Sequence, residues 1–420
     1  MTRTVPSAPP RSTRGGRTAW LVWGVGAACY FAAMFHRASL GVAAPAALER
    51  FSAGPAVLAV FSALQMGVYL ALQVPAGVLA DRLGPRKVIS GGMLALALGS
   101  AVFGISGSVL GGVAGRMLIG FGDAFMFTNV LRLAAHWFPP ARYGQVAAIT
   151  GLIGGLGQVL STVPLAAALH GFGWVPTFVG AAGLTLALAA VAAGVIRERT
   201  DERPATAPPR ERIGASLRAV VAQRGTRHAF WVHFVLMAQF VALTTLWGQP
   251  WLTEAQGRSR TEAGSLLLLA VVAFIVGSLV AGQFAAGRPL RRDRYALAMS
   301  VAVVVAWVVL AGWPGALPTP LLVVALAVIG VAGGAAMLAF DGARLANAEH
   351  RSGTASGVVN MGGFTAAVLI QLLVGGVLQA TSSLPGPTAY RWAFLPVVLL
   401  LLLGTVAQGL SRVRAAPERG

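Results

Sequence analysis

The sequence predicts an all-α membrane protein with twelve transmembrane helices in two pseudo-symmetric six-helix bundles. First, 56% of the 420 residues are hydrophobic and only 11% are charged, whereas soluble domains carry about a quarter charged residues. Second, apolar runs recur along the whole chain, each close to the roughly 20 residues that a helix needs to cross a bilayer. Third, short segments of the first half of the chain recur in the second half.

The apolar runs set the bounds of the predicted spans. Segments rich in arginine, proline and glycine separate them, as expected of loops. The twelve spans are 19–46, 56–80, 88–106, 109–137, 144–169, 174–196, 228–253, 263–286, 294–312, 319–346, 353–379 and 390–411.

The most polar interior stretch divides the spans into two groups of six. Its proline and charge content indicates a linker, and the run "IGASLRAVVAQ" within it is typical of an amphipathic helix on a membrane surface. The predicted order is a disordered cytoplasmic tail, an N-terminal bundle, a cytoplasmic linker, a C-terminal bundle and a second cytoplasmic tail. Their bounds are 1–18, 19–196, 197–227, 228–412 and 413–420.

The net charge of +19 indicates membrane topology rather than nucleic-acid binding. When successive loops are assigned alternately to the two sides of a membrane, nearly all basic residues fall on one side. The opposite side receives only Arg50, Arg258, Arg260 and Arg391. Because basic loops remain cytoplasmic, we predict a multi-pass protein of the plasma membrane (a cell inner membrane) with both termini in the cytoplasm. No nucleic-acid partner is expected.

Two pairs of segments form an internal repeat. "PAGVLADRLGPRKV" follows the second span and "VAGQFAAGRPLRRD" follows the eighth, while "YGQVAAITGLIGG" opens the fifth and "SGTASGVVNMGGF" opens the eleventh. The two pairs have nearly equal spacing along the chain. Parallel repeats of six helices place a substrate site near the middle of the bilayer between the halves, and alternating access then rocks one half against the other.

The first of these segments carries a family resemblance. "GVLADRLGPRKV", residues 77–88, resembles the loop between helices 2 and 3 of the major facilitator superfamily, with the pattern G-x-L-a-D-R-x-G-r-[K/R]. The resemblance implies a twelve-helix secondary transporter that works as a monomer and is not an enzyme. Gly84 with Pro85 suits a tight turn, and Asp81 would accept hydrogen bonds near a facing helix end. The repeat copy has Ala286 in place of Asp81.

The loop and two further charged residues form the predicted conformational latch. Asp341 and Arg132 occupy equivalent places in the two repeats, and either they form a gate pair or Asp341 caps a loop residue such as Arg344. The predicted latch residues are Gly77, Asp81, Arg82, Gly84, Arg86, Lys87, Arg132 and Asp341.

Ionisable residues inside spans are costly in lipid and are therefore candidates for function. His36 and Arg37 lie in the first span, Arg116 and Asp123 in the fourth, and His233 in the seventh. An arginine at this depth offers a planar fork of donors that suits a carboxylate or phosphate. The family resemblance implies that helices 1, 4, 7 and 10 line the central cavity.

A narrower resemblance assigns roles to two of these residues. "HRASLGVAAPAALERF" resembles the helix 1 pattern D-R-x-N-[LI]-S-x-A-x-P of the anion:cation symporter branch, and "AGRMLIGFGDAFMFTNVLRLAAHWFPPARYG" resembles its helix 4. The resemblance implies that Arg37 binds a substrate carboxylate and that Asp123 carries the proton. His36 replaces the branch's acidic residue, so it has a proton role only if it takes over from that acid. In the alternative interpretation, Arg37 and Asp123 form a purely structural ion pair, and Arg116 and the histidines only support packing.

Uncharged polar and aromatic residues complete the predicted substrate site. Amides inside membranes commonly join helices, so each also has a structural interpretation. The predicted substrate-binding residues are Tyr30, His36, Arg37, Gln65, Tyr69, Asn129, Gln158, Gln239, Trp247 and Asn360, and the predicted proton-coupling residues are Asp123 and His36.

Together these features predict a secondary active transporter that moves a small organic anion by proton symport and needs no cofactor or metal. The sequence contains no P-loop and no evident nucleophile–base pair. One alternative is a proton-coupled exporter of hydrophobic compounds. The family's export run G-x-x-x-G-P-x-x-G-G is not matched by "GLIGGLGQVLSTVP", in which the proline comes late, at Pro164. The second alternative is a non-transporting membrane sensor.

Overall fold

The fold is all-α, as predicted. A computed structural model describes residues 16–197, 213–285, 289–348 and 351–415, and within these residues there is no strand. Eleven helices in this part of the chain are long and apolar enough to cross a membrane. Pro55–Ala71, at the place of the predicted second span, is a shorter apolar helix. The outer parts of both predicted tails, and residues 198–212 of the predicted linker, lie outside the described residues.

The helices fall into two halves along the chain. The first half contains α1 (Arg17–Arg50), α2 (Pro55–Ala71), α3 (Gln73–Ile105), α4 (Val109–Asp123), α5 (Met126–Trp137), α6 (Pro140–Leu160), α7 (Val163–Phe172) and α8 (Trp174–Val195). The second half contains α9 (Ile213–Ala222), α10 (Arg224–Ala242), α11 (Gly248–Pro250), α12 (Arg260–Ala285), α13 (Pro289–Gly312), α14 (Thr319–Ala335), α15 (Leu338–Ala346), α16 (Ser352–Ala380) and α17 (Gly386–Ala415).

The chain between α2 and α3 differs from the predicted boundaries. The second span was expected to run to residue 80, but α2 ends at Ala71 and α3 starts two residues later. The break between the second and third spans falls instead inside α3, at Gly84, where φ is +78° and ψ is 156°. This left-handed region favours glycine, which has no Cβ to clash with the backbone. The predicted turn is therefore present at Gly84.

The end of the linker also differs from the prediction. The run "IGASLRAVVAQ" does form a helix, α9, but α9 packs against α10 and α16 rather than only lying on a membrane surface. Ser216 and Val220 are buried, and the Oγ atom of Ser216 lies 3.3 Å from Oγ1 of Thr354. The next span then begins at Arg224, inside the predicted linker.

The two halves share an interruption at equivalent places. Regular α-helix stops at Asp123 and resumes at Met126 in the fourth span, and it stops at Ala335 and resumes at Leu338 in the tenth. Repeat halves are expected to share such a feature. At the interruption the first half has an acid, Asp123, where the second half has Ala335. The same alignment pairs Arg132 with Arg344, so the predicted equivalence of Arg132 and Asp341 is wrong by three residues.

The halves touch each other mainly along α1, α2, α16 and the irregular part of the seventh span, with smaller contacts of α6 and α7 with α12 and of α3 with α16. We call the end of the bundles that carries residues 51–54 the distal end, and the end at which α1 begins the terminal end. Close to the distal end, a Cβ on Gly375 of α16 would meet Pro55 O at 3.1 Å and the Trp247 ring at 3.2 Å. The distal ends of the two halves are therefore packed together.

At the terminal end, the helices that end there pack within their own halves. The helix α5 packs against α1, α3 and α6, and α15 packs mainly against α10 and α16. The main contacts between the halves made by described residues thus lie at the distal end and at mid-height.

The seventh span departs from regular α-helix where it meets α1. Two π-helical segments, Leu243–Trp247 and Trp251–Ala255, flank the short helix α11. This irregular part of the span contains the run "LWGQPWL", residues 246–252. A Cβ on Gly41 would lie 2.8 Å from the carbonyl oxygen of Thr245. Gly41 therefore permits the closest approach of α1 to the other half.

We expect Gly41→Ala to lower the unfolding temperature of the purified protein. The added methyl group has no space against the Thr245 carbonyl, and such overpacking typically costs about 1–3 kcal/mol. The matched control is Gly24→Ala on the same helix, where a Cβ would meet nothing within 4 Å. Thermal unfolding followed by circular dichroism measures both, and equal unfolding temperatures for the two variants would contradict the close approach.

Candidate functional site

An arginine and an aspartate form a buried ion pair at the middle of the first half. Nε of Arg37 donates to Oδ2 of Asp123 at 2.7 Å, and Nη2 donates to Oδ1 at 2.9 Å. The side chains are 8% and 1% exposed. This bidentate arrangement is the strongest that an arginine makes with a carboxylate. The structure thus brings together the two residues to which the sequence assigned substrate binding and proton coupling.

Helix geometry explains why these residues meet. Arg37 lies between Met34 and Gly41 on the face of α1 that points to α4 and to the second half. Asp123 lies two turns beyond Arg116 and ends α4, so its carboxylate is held at the helix interruption. Because a helix turns by 100° per residue, this spacing sets which side chains share a face.

Two aromatic rings, one from each half, cover the guanidinium. The Cζ atom of Arg37 lies 4.4 Å from the centroid of the Tyr69 ring of α2 and 5.5 Å from that of Phe364 of α16. The two rings also contact each other, with centroids 4.8 Å apart. Both distances fall within the range of cation–π attraction. The ion pair of the first half is therefore in direct contact with the second half.

A second arginine is buried without a carboxylate partner. Arg116 is 0% exposed, and its Nη1 donates to the oxygens of His36 and Ser39 at 3.4 and 3.3 Å. Its Nε and Nη2 have no hydrogen-bond partner among the described residues. With Arg37, Asp123 and Arg116 all ionised, this cluster carries a net charge of +1. This net positive charge favours the binding of an anion nearby.

His36 points away from the ion pair. Its Nε2 lies 2.8 Å from Oγ1 of Thr185 in α8, and that hydroxyl donates its own proton to Ala181 O. Nε2 must therefore be the donor, and Nδ1 has no partner among the described residues. Successive side chains of an α-helix point in directions that differ by about 100° around the helix axis. Consequently Arg37 faces the second half and His36 faces α8, so the geometry does not support the predicted substrate and proton roles of His36.

Several predicted substrate residues are used within one half. The Nε2 of Gln239 donates to Leu236 O and Ile329 O, and its Oε1 accepts from Trp307. All these partners belong to the second half, so Gln239 joins helices there. Joining helices is the common use of amides in membranes. Asn129 donates to Phe125 O, immediately before the start of its own helix.

Other predicted residues lie nearer the ion pair or on different surfaces. Gln65 is buried one turn from Tyr69, and neither end of its amide has a partner among the described residues. Tyr30 packs against Phe127, with ring centroids 5.2 Å apart. Trp247 donates to Gln371 O and lines a cavity at the distal end. Gln158 is buried on α6, and Asn360 is partly buried on α16.

The predicted latch is described only in part. The side chains of Asp81 and Arg82, and the burial of Gly77, lie outside the described part of the structure. Arg86 donates to Ala193 O at 2.7 Å, and Lys87 is exposed. The exposed carboxylate of Asp341 lies 3.8 Å from Nη2 of Arg344, its expected alternative partner. Arg132 is partly buried on α5.

Comparison with known proteins decides the family. Residues 26–370 match the sequence pattern of the Major Facilitator Superfamily. The chain belongs to the Major Facilitator Superfamily. It is therefore a transporter and not an enzyme, as the loop motif predicted.

Relatives within the superfamily extend over most of the chain. It is 27% identical to the probable sulfoacetate transporter SauU of Cupriavidus necator, over 92% of this chain and 94% of that protein. It is 23% identical to the probable galactarate/D-glucarate transporter GudP of Bacillus subtilis, over 83% of each chain. A bacterial Spinster homologue, crystallised in an inward-facing and unoccupied conformation, has the same fold, with a TM-score of 0.69 and 15% identity over 94% of this chain and 98% of that one.

Two members of the cluster were not included in the sequence-predicted site. Phe364 carries no charge or motif, and only the packing of α16 against α2 shows that it reaches Arg37. Arg116 was visible as a charge inside a span but was interpreted as structural. Its lack of a counter-ion is a signal that only the tertiary structure gives.

We expect Asp123→Asn and Arg37→Gln each to destabilise the protein strongly. Either change leaves one buried charge without a partner, which typically costs about 3–5 kcal/mol. The double variant should be less destabilised than the sum of the two, because it leaves neither charge unpaired. The unfolding free energies of the wild type, the two single variants and the double variant give the coupling energy between Arg37 and Asp123 directly.

The matched control is the cycle of Asp341→Asn and Arg344→Gln. This pair is exposed at 60% and 69%, and exposed pairs couple by about 0–1 kcal/mol. A coupling for Arg37 and Asp123 no larger than the control would show that their contact is not a strong interaction.

Proposed function

We propose that the protein transports a small organic anion, a carboxylate or a sulfonate, by proton symport with alternating access. The observation that carries this proposal is the bidentate pair of Arg37 and Asp123, buried where the two halves meet. Arg37 is the residue that would bind the anion, and Asp123 is the residue that would take up the proton.

Charge balance supports an anionic cargo. The ionised cluster of Arg37, Arg116 and Asp123 has one positive charge more than it has negative charges. A buried positive charge is stabilised by an anion, whereas a cation entering the same place would be repelled. The planar fork of donors on Arg37, once released by Asp123, also suits planar carboxylates and tetrahedral sulfonates.

The same pair provides a mechanism of coupling. While Asp123 is ionised, both of its oxygens occupy the donors of Arg37. Protonation of Asp123 removes its negative charge and weakens its hydrogen bonds to Arg37. The positive charge of Arg37 is then stabilised by a different anion. Proton and anion would therefore bind together, because each makes the binding of the other more favourable. Tyr69 and Phe364 would keep the guanidinium in place during the exchange.

The relatives favour the same class of substrate. The names of two extensive matches refer to sulfoacetate and to galactarate or D-glucarate, all of which are organic anions. The low identity leaves the individual substrate open, so we propose the class and not one member of it.

Orientation and conformation follow from the charges and contacts. We propose that the terminal end is cytoplasmic, since basic loops remain on that side. The packed distal ends would then correspond to a conformation that is closed to the outside. The segment around the break at Gly84 in α3, with Asp81, Arg82, Arg86 and Lys87, would together with Arg132 and Asp341 set the balance between the conformations.

We expect Arg37→Ala to abolish proton-driven uptake of the transported anion into proteoliposomes. The assay uses a panel of labelled carboxylates and sulfonates with an inward proton gradient. Asp123→Asn should retain anion exchange across the membrane at equal pH but should no longer respond to the gradient, because its side chain cannot carry the proton.

Arg17→Ala is the matched control, since Arg17 is an exposed arginine at the start of the same helix. Its uptake should stay within two-fold of the wild type. The proposal fails if Arg37→Ala transports every active anion normally. Dye efflux that is lost in Asp123→Asn but retained in Arg37→Ala would instead support export of hydrophobic compounds.

A further inference from the structure

A cavity lies between the two halves, at the distal end and apart from the ion pair. Its volume is about 460 Å³, which is in the range of small-molecule sites. Ala44, Leu48 and Leu58 form the wall from the first half, and Trp247 and Tyr390 lie on the wall from the second half. The lining is mostly apolar, so the cavity suits a ligand with an apolar body.

One carboxylate gives this cavity a negative charge. Glu254 lines the cavity, and its side chain reaches solvent. Its Oε2 accepts a hydrogen bond from the hydroxyl of the buried Tyr390 at 3.3 Å. No salt bridge joins Glu254 to any residue that the structure describes. The carboxylate is thus oriented by Tyr390 and lacks a counter-ion.

The surroundings of this carboxylate select the ligand. An anion would be repelled by Glu254, so the cavity does not suit the cargo proposed for the central site. A cation would be attracted by the carboxylate and by the faces of Trp247 and Tyr390, since aromatic rings bind quaternary ammonium groups well. We propose that the distal cavity is a binding site for small organic cations with an apolar group, with Glu254 as the counter-ion.

The site exists only while the distal ends are together. Its walls come from α1 and α2 on one side and from the seventh span, α16 and α17 on the other. Separation of the halves at this end would pull the walls apart. A bound cation therefore stabilises the closed distal end, because a ligand shifts a protein towards the conformation that binds it better. Inhibition of transport by the cation follows, and this consequence alone rests on the proposed alternating access.

Binding of benzyltrimethylammonium to the full-length protein in detergent micelles tests the site, with isothermal titration calorimetry as the measurement. No substrate or gradient is present, so the result is independent of the proposed anion transport. We expect the wild-type protein to bind this cation and not to bind benzenesulfonate, which has a similar size and the opposite charge. Glu254→Gln should weaken binding of the cation at least five-fold.

Glu49→Gln is the matched control. Glu49 is an exposed acid near the same end of α1, and it does not line the cavity. Its loss should change the affinity less than two-fold. The site is overturned if the wild-type protein does not bind the cation, if benzenesulfonate binds equally well, or if the two glutamate variants weaken binding to the same degree.

Discussion

The buried ion pair of Arg37 and Asp123 is the constraint on which the rest of the molecule depends. Two charges in the middle of a bilayer are tolerated only when they neutralise each other with good geometry. The two parallel hydrogen bonds of 2.7 and 2.9 Å meet that condition. They also fix α1 against the end of α4. If either helix moves so that the two side chains separate, each buried charge requires a new partner.

The position of this pair connects stability with function. Phe364 of the second half contacts Arg37, and Gly41, one turn further along α1, allows the closest backbone approach between the halves. A change in the charge of the pair therefore alters the contacts at the interface between the halves. Arg116, which has no carboxylate partner among the described residues, adds a positive charge to the same region. By contrast, the distal cavity is lined by a carboxylate, so the two sites present opposite charges to their surroundings.

Arg37 and Asp123 could be selected from the sequence because each is a charge in an otherwise apolar run, where a bilayer makes charges rare. The same argument also selected His36, but it could not predict which way the His36 side chain points. A helical rotation of about 100° directs His36 to Thr185 in α8. The amide of Gln239 likewise looked available in the sequence, yet the structure uses it to join three helices. A polar residue in a span indicates that its side chain needs a hydrogen-bond partner, but the sequence does not identify that partner.

The sequence by itself determined the helical membrane fold, the division into two repeats and the family, because hydropathy, arginine placement and the loop motif are local properties of the chain. Only the tertiary structure decided that Phe364 covers Arg37, that Arg116 has no counter-ion among the described residues and that Glu254 lines a cavity. These facts depend on which helix faces meet across the two halves. Side chains far apart along the chain set those contacts, and no spacing within a single helix encodes them.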